Sequence, residues 1–178
     1  VLMRSAGCIF NDIVDKDFDK KVNRTKSRPI AAGLITVKQS LFYVSVLCLI
    51  AFLILIQFNL FTIILGMSSM LLAFSYPYMK RITYWPQLFL GITFNYGLVL
   101  AWISINNDIS LIPIMLYLGA IFWTLGYDTI YGFQDIKDDE IIGLKSTSIK
   151  FKTKPNALLV TCYSVFLISL VFVGILND

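Results

Sequence analysis

Long apolar stretches, separated by shorter polar ones, dominate the chain. Several of them approach or exceed the roughly 17–25 residues that a helix needs to cross a bilayer. The apolar stretches are approximately Leu41–Phe58, Leu60–Met79, Leu88–Ile105, Leu111–Tyr127 and Ala157–Leu176. The preceding segment, from Val1 to about Val14, has the pattern of the second half of a further helix. The pattern therefore predicts an all-α, polytopic transmembrane helical bundle with about six helices in this chain.

Composition supports a membrane protein and narrows its chemistry. Hydrophobic residues make up 57% of the chain and charged residues 15%, with a mean hydropathy of +0.76. So few charges would not cover the surface of a soluble domain of 178 residues. The lack of histidine and the three scattered cysteines exclude histidine-based catalysis, a zinc site and a disulfide framework. Because the chain begins in mid-pattern at Val1, we expect it to be the interior of a longer protein.

The charged residues are concentrated in three loops, which are Lys16–Lys38, Lys80–Pro86 and Asp135–Lys154. Of the 15 Lys and Arg residues, 14 lie in these loops or at their helix ends, and Arg4 is the exception. Alternating spans place all three loops on one face, which the positive-inside tendency assigns to the cytoplasm or its organelle equivalent. Nine of the 11 acidic residues follow the same distribution. The orientation of a protein in the membrane depends on Lys and Arg and does not account for so many Asp residues. We therefore expect a functional site on this face.

The first charged loop begins with an acidic motif at the end of a predicted helix. Asn11, Asp15 and Asp19 recur every four residues and therefore form one stripe, and Asp12 is also a helical neighbour of Asp15. Like charges on one stripe repel each other by a few tenths of a kcal/mol per pair. A divalent cation would offset that repulsion, and oxygen ligands without His or Cys suit Mg²⁺.

A second acidic motif follows the fourth long apolar stretch. Tyr127, Tyr131, Asp135 and Asp139 again step by four, which predicts a second stripe with Tyr131 as a candidate substrate-binding residue. Asp128 lies just inside the apolar stretch, where an ionisable group indicates function. Two such carboxylate groups, facing each other, would hold two Mg²⁺ ions with a diphosphate between them. Either cluster alone would also fit a solvated helix end.

Basic residues of the three loops are candidate ligands for phosphate oxygens, which Lys and Arg bind through charge-assisted hydrogen bonds. The candidates are Lys26, Arg28, Lys80, Arg81 and Lys145. Tyr76 and Lys80 share a helical face at i, i+4, which makes this pair the strongest candidate. Taken singly, each basic residue also fits the ordinary excess of positive charge on the inner face of a membrane protein.

Together, these motifs resemble those of the UbiA superfamily of intramembrane prenyltransferases, and in particular its members that act on 4-hydroxybenzoate in ubiquinone biosynthesis. The motifs are Asn11-Asp12-x-x-Asp15-x-x-x-Asp19, Thr25-Lys26-Ser27-Arg28-Pro29, Tyr76-Pro77-Tyr78-Met79-Lys80-Arg81, and Tyr127-Asp128 with Asp135-x-x-x-Asp139 and Gly143-Leu144-Lys145-Ser146-Thr147. The family fold has nine transmembrane helices around a central cavity. The resemblance implies that residues 1–178 form a partial domain of this type, without its first helix and its last two.

The resemblance also implies an activity, namely Mg²⁺-dependent transfer of a polyprenyl group from a polyprenyl diphosphate to a small aromatic acid. It implies that Tyr76 and Lys80 lie near the diphosphate. We expect Asp128 to orient or deprotonate the phenol, and Arg81 is a candidate for holding the benzoate carboxylate. The implied Mg²⁺–diphosphate ligands are Asn11, Asp15, Asp19, Asp135 and Asp139, with Asp12 beside them.

Other functions remain open at the level of sequence. Within the family, the acceptor would be a naphthoate, a homogentisate or a haem instead. A divalent-cation transporter also needs intramembrane acids, but it predicts polar residues through the depth of the bundle or on both faces. A purely structural membrane subunit is disfavoured by the two acidic motifs. We expect an integral protein of the bacterial inner membrane, or alternatively of the mitochondrial inner membrane, with no nucleic-acid partner and no protein partner indicated.

Overall fold

The described part of the chain, residues 1–177 of a computed structural model, consists of helices and the loops between them, without a strand. The helices are α1 (Leu2–Asp19), α2 (Val37–Leu55), α3 (Leu60–Ile82), α4 (Pro86–Asn106), α5 (Leu111–Gly132), α6 (Ile136–Ile142), α7 (Thr147–Lys150) and α8 (Pro155–Asn177). A short 3₁₀ helix, Phe133–Asp135, joins α5 to α6. The predicted all-α bundle is confirmed.

Five stretches among the described residues are long and apolar enough to cross a membrane. They are Val37–Leu55, Leu60–Ile82, Pro86–Asn106, Leu111–Ile142 and Pro155–Asn177. Each corresponds to one of the predicted apolar stretches. The helix α1 is not among them, because its second half carries several acidic residues.

Local sequence signals account for the ends of these helices. Thr36 caps α2 through a capping box with Gln39, which satisfies two backbone N–H groups that the first turn leaves without partners. Asn59 accepts a hydrogen bond from the backbone N–H of Thr62 and so caps α3. Pro86 occupies the first turn of α4, where its missing N–H costs nothing. The left-handed conformation of Asn107 ends the same helix.

The long helices pack in the spatial order α2, α1, α3, α4, α5, α8. Gly91 allows α4 to approach α5 closely, because a Cβ atom at this position would lie 2.8 Å from the carbonyl oxygen of Ile121. Gly119 plays the same part between α5 and α8, where a Cβ atom would lie 2.8 Å from the Cβ of Ser169. Small residues at helix contacts are typical of membrane bundles, which associate by close packing. The helix α5 is therefore held tightly on both sides.

The second acidic motif does not lie on one continuous helix, and in this respect the sequence prediction is wrong. A regular stripe at Tyr127, Tyr131, Asp135 and Asp139 requires 3.6 residues per turn, but the chain tightens into the 3₁₀ helix before Asp135. The side chain of Ser148 packs against Gly132 at this point. Asp135 therefore ends the 3₁₀ helix and is the N-cap of α6, whereas Asp139 lies in the first turn of α6.

The three charged loops meet at one end of the bundle, which we call the charged end. The backbone N–H of Lys145 donates to the carbonyl oxygen of Lys80 over 2.8 Å and joins the third loop to the second. Arg24 forms an ion pair with Asp135 and joins the first loop to the third. Lys80 in turn forms an ion pair with Asp15 of α1. The candidate site lies among these contacts.

Candidate functional site

A cavity of about 100 Å³ lies at the charged end, between helices that are distant in sequence. Helices α1, α3, α4, α5 and α6 and the loop after α6 each contribute to its wall. Six of the residues predicted from the sequence line it: Asn11, Tyr76, Lys80, Asp128, Asp139 and Lys145. The structure thus brings an amide, two carboxylates, a phenol and two ammonium groups together around one space.

Asp15 lies next to this cavity and is almost completely buried, with 1% of its surface exposed. One of its carboxylate oxygens, Oδ2, accepts a hydrogen bond from the Nζ of Lys80. The other, Oδ1, has no hydrogen-bond partner, and the Nη2 of Arg81 is 3.5 Å away. A buried carboxylate oxygen without a partner is costly. The Arg81 guanidinium compensates part of the charge of Oδ1, and a metal ion would supply the direct contact that Oδ1 lacks.

Arg28 holds two more acids of the first motif. Its Nη1 lies 2.9 Å from an oxygen of Asp12 and 3.0 Å from an oxygen of Asp19. Asp12 lies in α1, outside the five candidate membrane spans. Burial raises the pKa of the Asp12 carboxyl above its ordinary value, and the Arg28 guanidinium acts in the opposite direction. Arg28 thus neutralises acids at the edge of the site and does not line the cavity.

The second acidic motif is held in a similar way by Arg24, a residue that the sequence did not single out. Its Nε and Nη2 donate to the two carboxylate oxygens of Asp135 over 3.0 and 2.7 Å. Such a bidentate pair fixes both position and orientation. Arg24 lies in the first charged loop and Asp135 between α5 and α6, so this ion pair ties the two acidic motifs to each other.

The two carboxylates that line the cavity differ from those around it. Asp128 and Asp139 make no ion pair and no side-chain hydrogen bond with any other residue between 1 and 177. Lys145, on the facing wall, donates to the carbonyl oxygen of Ile82 over 3.1 Å. The cavity therefore offers two unpaired carboxylates and two ammonium groups to a ligand that carries negative charge and a metal ion.

Three other predicted residues lie outside the cavity. Lys26 donates to the side-chain oxygen of Asn23 over 3.0 Å. Tyr131 is 58% exposed and does not line the cavity. The Nη2 of Arg81 donates to the carbonyl oxygen of Val14 over 2.7 Å, so this guanidinium is bound to α1. In this structure none of the three is placed to contact a molecule in the cavity.

Gln87 lines the cavity and was missed in the sequence. It is buried, with 6% of its surface exposed, and its Oε1 accepts a hydrogen bond from the backbone N–H of Thr147 over 3.0 Å. This bond fixes the orientation of the amide, so the Nε2 group is left as the free donor. No acceptor for that group occurs among the described residues. A glutamine at the start of an apolar helix gives no sequence signal of such a role.

Buried hydroxyl groups support this wall of the site. The Oγ1 atoms of Thr129 and Thr147 are 2.6 Å apart, and the Oγ of Ser148 donates to the carbonyl oxygen of Thr129 over 2.8 Å. All three residues are fully buried. These bonds attach the segment that follows Lys145 to α5 at Thr129, the residue next to Asp128. The positions of Lys145 and Asp128 are therefore linked by a rigid polar cluster.

The chain also matches known proteins in sequence. The model of the UbiA prenyltransferase family matches residues 1–177. The chain belongs to this family. Membership confirms the resemblance that the motifs indicated.

A solved member of the family has the same fold. The apo structure of a UbiA homolog from Aeropyrum pernix K1 superposes with a TM-score of 0.82 at 27% sequence identity. The match covers 94% of this chain and 64% of the other. The helices that surround the cavity therefore have the family's arrangement.

Curated relatives share about half of the aligned residues. Proteins named "4-hydroxybenzoate polyprenyltransferase, mitochondrial" are 49% identical over 152 residues in Arabidopsis thaliana and 49% identical over 158 residues in Homo sapiens. The matches cover 85% and 87% of this chain, and 37% and 43% of the relatives. The relative of that name in Caenorhabditis elegans is 51% identical over 150 residues, which are 84% of this chain and 42% of the relative. The chain thus spans about two fifths of the length of these relatives.

Proposed function

We propose that the protein transfers a polyprenyl group from a polyprenyl diphosphate to an aromatic acid, with 4-hydroxybenzoate as the acceptor. The observation that carries the proposal is the single cavity that acidic and basic residues line together. These residues are Asn11, Asp128, Asp139, Lys80 and Lys145. The names of the relatives support the acceptor. The coverage of the family fold supports a partial domain in residues 1–178, completed by further helices. The apolar helices support an integral membrane protein, in a mitochondrial or a bacterial inner membrane.

The residues around the cavity suit a divalent metal ion, for which we propose Mg²⁺. Among residues 1–177 no three acidic side chains stand close enough together to hold an ion by themselves. Mg²⁺ usually takes only one or two carboxylates and completes its coordination with water and phosphate oxygens. The Oδ1 of Asp15, which accepts no hydrogen bond, and the unpaired carboxylate of Asp139 fit this pattern. Three further carboxylates are candidate metal ligands, and each of them forms an ion pair with an arginine in this structure. They are Asp19, Asp135 and Asp12.

The basic residues of the cavity bind the diphosphate in this proposal. Lys80 and Lys145 donate charge-assisted hydrogen bonds to its oxygens, and the amide of Asn11 adds a neutral polar contact. When bound, Mg²⁺ supplies positive charge that stabilises the diphosphate as it departs. Tyr76, one helical turn before Lys80, also lines the cavity, and its phenol donates a hydrogen bond to the diphosphate.

The transfer itself exchanges one bond for another. The bond between the allylic carbon and the diphosphate oxygen breaks, and the oxygen keeps the electron pair. A new carbon–carbon bond forms at the ring carbon ortho to the phenol, and the ring loses a proton to a base. Asp128 accepts a hydrogen bond from the phenol and orients the ring. The surrounding apolar helices exclude water, which would otherwise capture the allylic cation.

Prenyl transfer in membranes that contain the protein tests the proposal. Asp139→Asn removes an unpaired carboxylate from the cavity, and we expect turnover with 4-hydroxybenzoate to fall on the order of 100-fold, as for other metal-site groups. Asp138→Asn is the matched control, because Asp138 is next to Asp139 in sequence but does not line the cavity. Absence of transfer to any aromatic acid by the wild-type protein would refute the proposal. Equal losses in the two variants would remove the role of Asp139.

A further inference from the structure

An apolar groove lies at the charged end, where α3 ends and α4 begins. Its volume is about 410 Å³, and it shares no lining residue with the cavity of the candidate site. Five of its six residues are apolar, and the sixth is a threonine. They are Met79, Ile82, Thr83, Trp85, Leu88 and Phe89.

The groove lies on the outer side of the two helices. Successive residues of a helix are rotated by about 100°, so residues two apart point in nearly opposite directions. On α3, Ile82 follows Lys80 by two residues. On α4, Phe89 follows Gln87 by two residues. In each pair the earlier residue lines the cavity and the later one lines the groove. The groove therefore faces away from the cavity, towards the surroundings of the bundle.

The groove is at the level where two candidate membrane spans end. These spans are Leu60–Ile82 and Pro86–Asn106, and Trp85 directly precedes the second. Tryptophan is enriched at the boundary between the hydrocarbon core of a bilayer and the headgroups. In a membrane, the apolar residues of the groove therefore lie against acyl chains, and Trp85 lies near the headgroups.

A cation lies at the edge of the groove. The ammonium of Lys150 is 4.6 Å from the centre of the Trp85 ring, and the ring of Phe151 packs against the same indole at 5.7 Å. This ammonium makes no ion pair and donates no hydrogen bond within residues 1–177. The ammonium of Lys152, two residues later, is by contrast paired with Glu140. Because a cation–π contact uses none of its three N–H donors, Lys150 is able to bind an anion.

We propose that this groove binds an anionic phospholipid of the membrane. One acyl chain lies against the apolar residues between α3 and α4, and the phosphate accepts a hydrogen bond from the ammonium of Lys150. Basic pockets between transmembrane helices bind anionic headgroups in this way. A zwitterionic headgroup already carries a cation beside its phosphate, so the negative charge that Lys150 requires comes from an anionic lipid. The inference does not depend on the proposed function.

Quenching of tryptophan fluorescence by brominated lipids tests the proposal, because Trp85 is itself part of the groove. With Trp102→Phe and Trp123→Phe, Trp85 is the one tryptophan left in residues 1–178. The protein is reconstituted into phosphatidylcholine vesicles that contain a small fraction of either brominated phosphatidylglycerol or brominated phosphatidylcholine. The difference in quenching between wild type and Trp85→Phe gives the same quantity with the other two tryptophans retained.

We expect phosphatidylglycerol to bind at Trp85 about fivefold more strongly than phosphatidylcholine, as one basic residue near a membrane surface provides. Lys150→Gln is expected to abolish this preference. Lys152→Gln, which removes an ammonium that Glu140 already neutralises, is the matched control and is expected to keep it.

Three results would overturn the proposal. The first is equal quenching by the two lipids in the protein with Lys150 intact. The second is a preference that survives in Lys150→Gln or is lost equally in Lys152→Gln, because the charge of the surface as a whole would then explain it. The third is displacement of brominated phosphatidylglycerol from Trp85 by an equal amount of polyprenyl diphosphate, which would assign the groove to that molecule instead.

Discussion

Gln87 provides the sharpest test of how the cavity works, because its two amide atoms have different partners. The Oε1 atom accepts from the backbone N–H of Thr147, and the Nε2 atom has no acceptor in the described chain. Gln87→Met removes both the acceptor and the donor with little change in size, because a thioether has no N–H group and is only a weak acceptor. Gln87→Glu keeps an acceptor for Thr147 and replaces the donor by a group that repels an anionic substrate.

The expected magnitudes follow from burial. Thr147 is fully buried, so Gln87→Met leaves its N–H without a partner, which costs about 1–3 kcal/mol of unfolding free energy. We expect the free Nε2 group to donate to the charged diphosphate. Loss of that hydrogen bond costs about 1.5–3 kcal/mol of binding free energy, or roughly a 13- to 150-fold weaker affinity. We therefore expect both variants to raise the Michaelis constant of the prenyl diphosphate. Both variants are expected to lose stability, Gln87→Met through the unpaired N–H of Thr147 and Gln87→Glu through the carboxylate that it buries.

Two measurements check this pair of variants. Unfolding of the purified protein in detergent gives the change in stability, and prenyl transfer in membranes gives the Michaelis constants of both substrates. If Gln87→Glu leaves both constants unchanged, Gln87 supports the loop at Thr147 and does not bind substrate. If Gln87→Met is as stable as wild type, the hydrogen bond to Thr147 contributes nothing. Either result would refute the reasoning.

Three further predictions address the metal site and the packing. We expect Asp15→Asn to reduce transfer on the order of 100-fold, and Asp17→Asn, which alters an exposed carboxylate, to have little effect; similar activities would contradict the role of Asp15. Chelation of divalent ions should abolish transfer and added Mg²⁺ should restore it, whereas activity in excess chelator would exclude a metal. Gly91→Ala forces a Cβ atom against the carbonyl oxygen of Ile121 and should lower the unfolding free energy by about 1–3 kcal/mol. Gly97→Ala, on the same helix without neighbours within 4 Å, should not, and equal stabilities would contradict this packing.

Much of the fold was predictable because its signals are local. Apolar length predicts the five candidate spans, and the spacing of Asn11, Asp15 and Asp19 predicts a helical stripe that the structure extends to the end of α1. The same reasoning failed after Gly132. There, a side chain from a distant loop packs against the helix and the chain tightens, and helical periodicity does not encode that contact.

The candidate site was predictable in its residue types more than in its pairings. Carboxylates and ammonium groups were expected at the charged end, and Asp128, Asp139, Lys80 and Lys145 do line one cavity. Which base neutralises which acid depends on tertiary contacts, as the bond between Arg24 and Asp135 illustrates across 111 residues of chain. Gln87 was missed because an uncharged amide carries no distinctive pattern. Its role depends on the partner that folding provides.

Two parts of the helix bundle are held together by different kinds of contact. Glycines bring α4, α5 and α8 into close contact, since Gly91 of α4 packs against Ile121 of α5 and Gly119 of α5 packs against Ser169 of α8. This close packing leaves the three helices little freedom to slide past each other.

The helix α1 packs against α2, and it meets α3 partly through the ion pairs of Asp15 with Lys80 and Arg81. The loop after α1 is joined to Asp135 by Arg24. Ion pairs that are partly exposed weaken with ionic strength, and a multivalent ligand rearranges them. We therefore expect the contact between α1 and α3 beside the cavity to respond to ionic strength and to the charges of a bound substrate and metal.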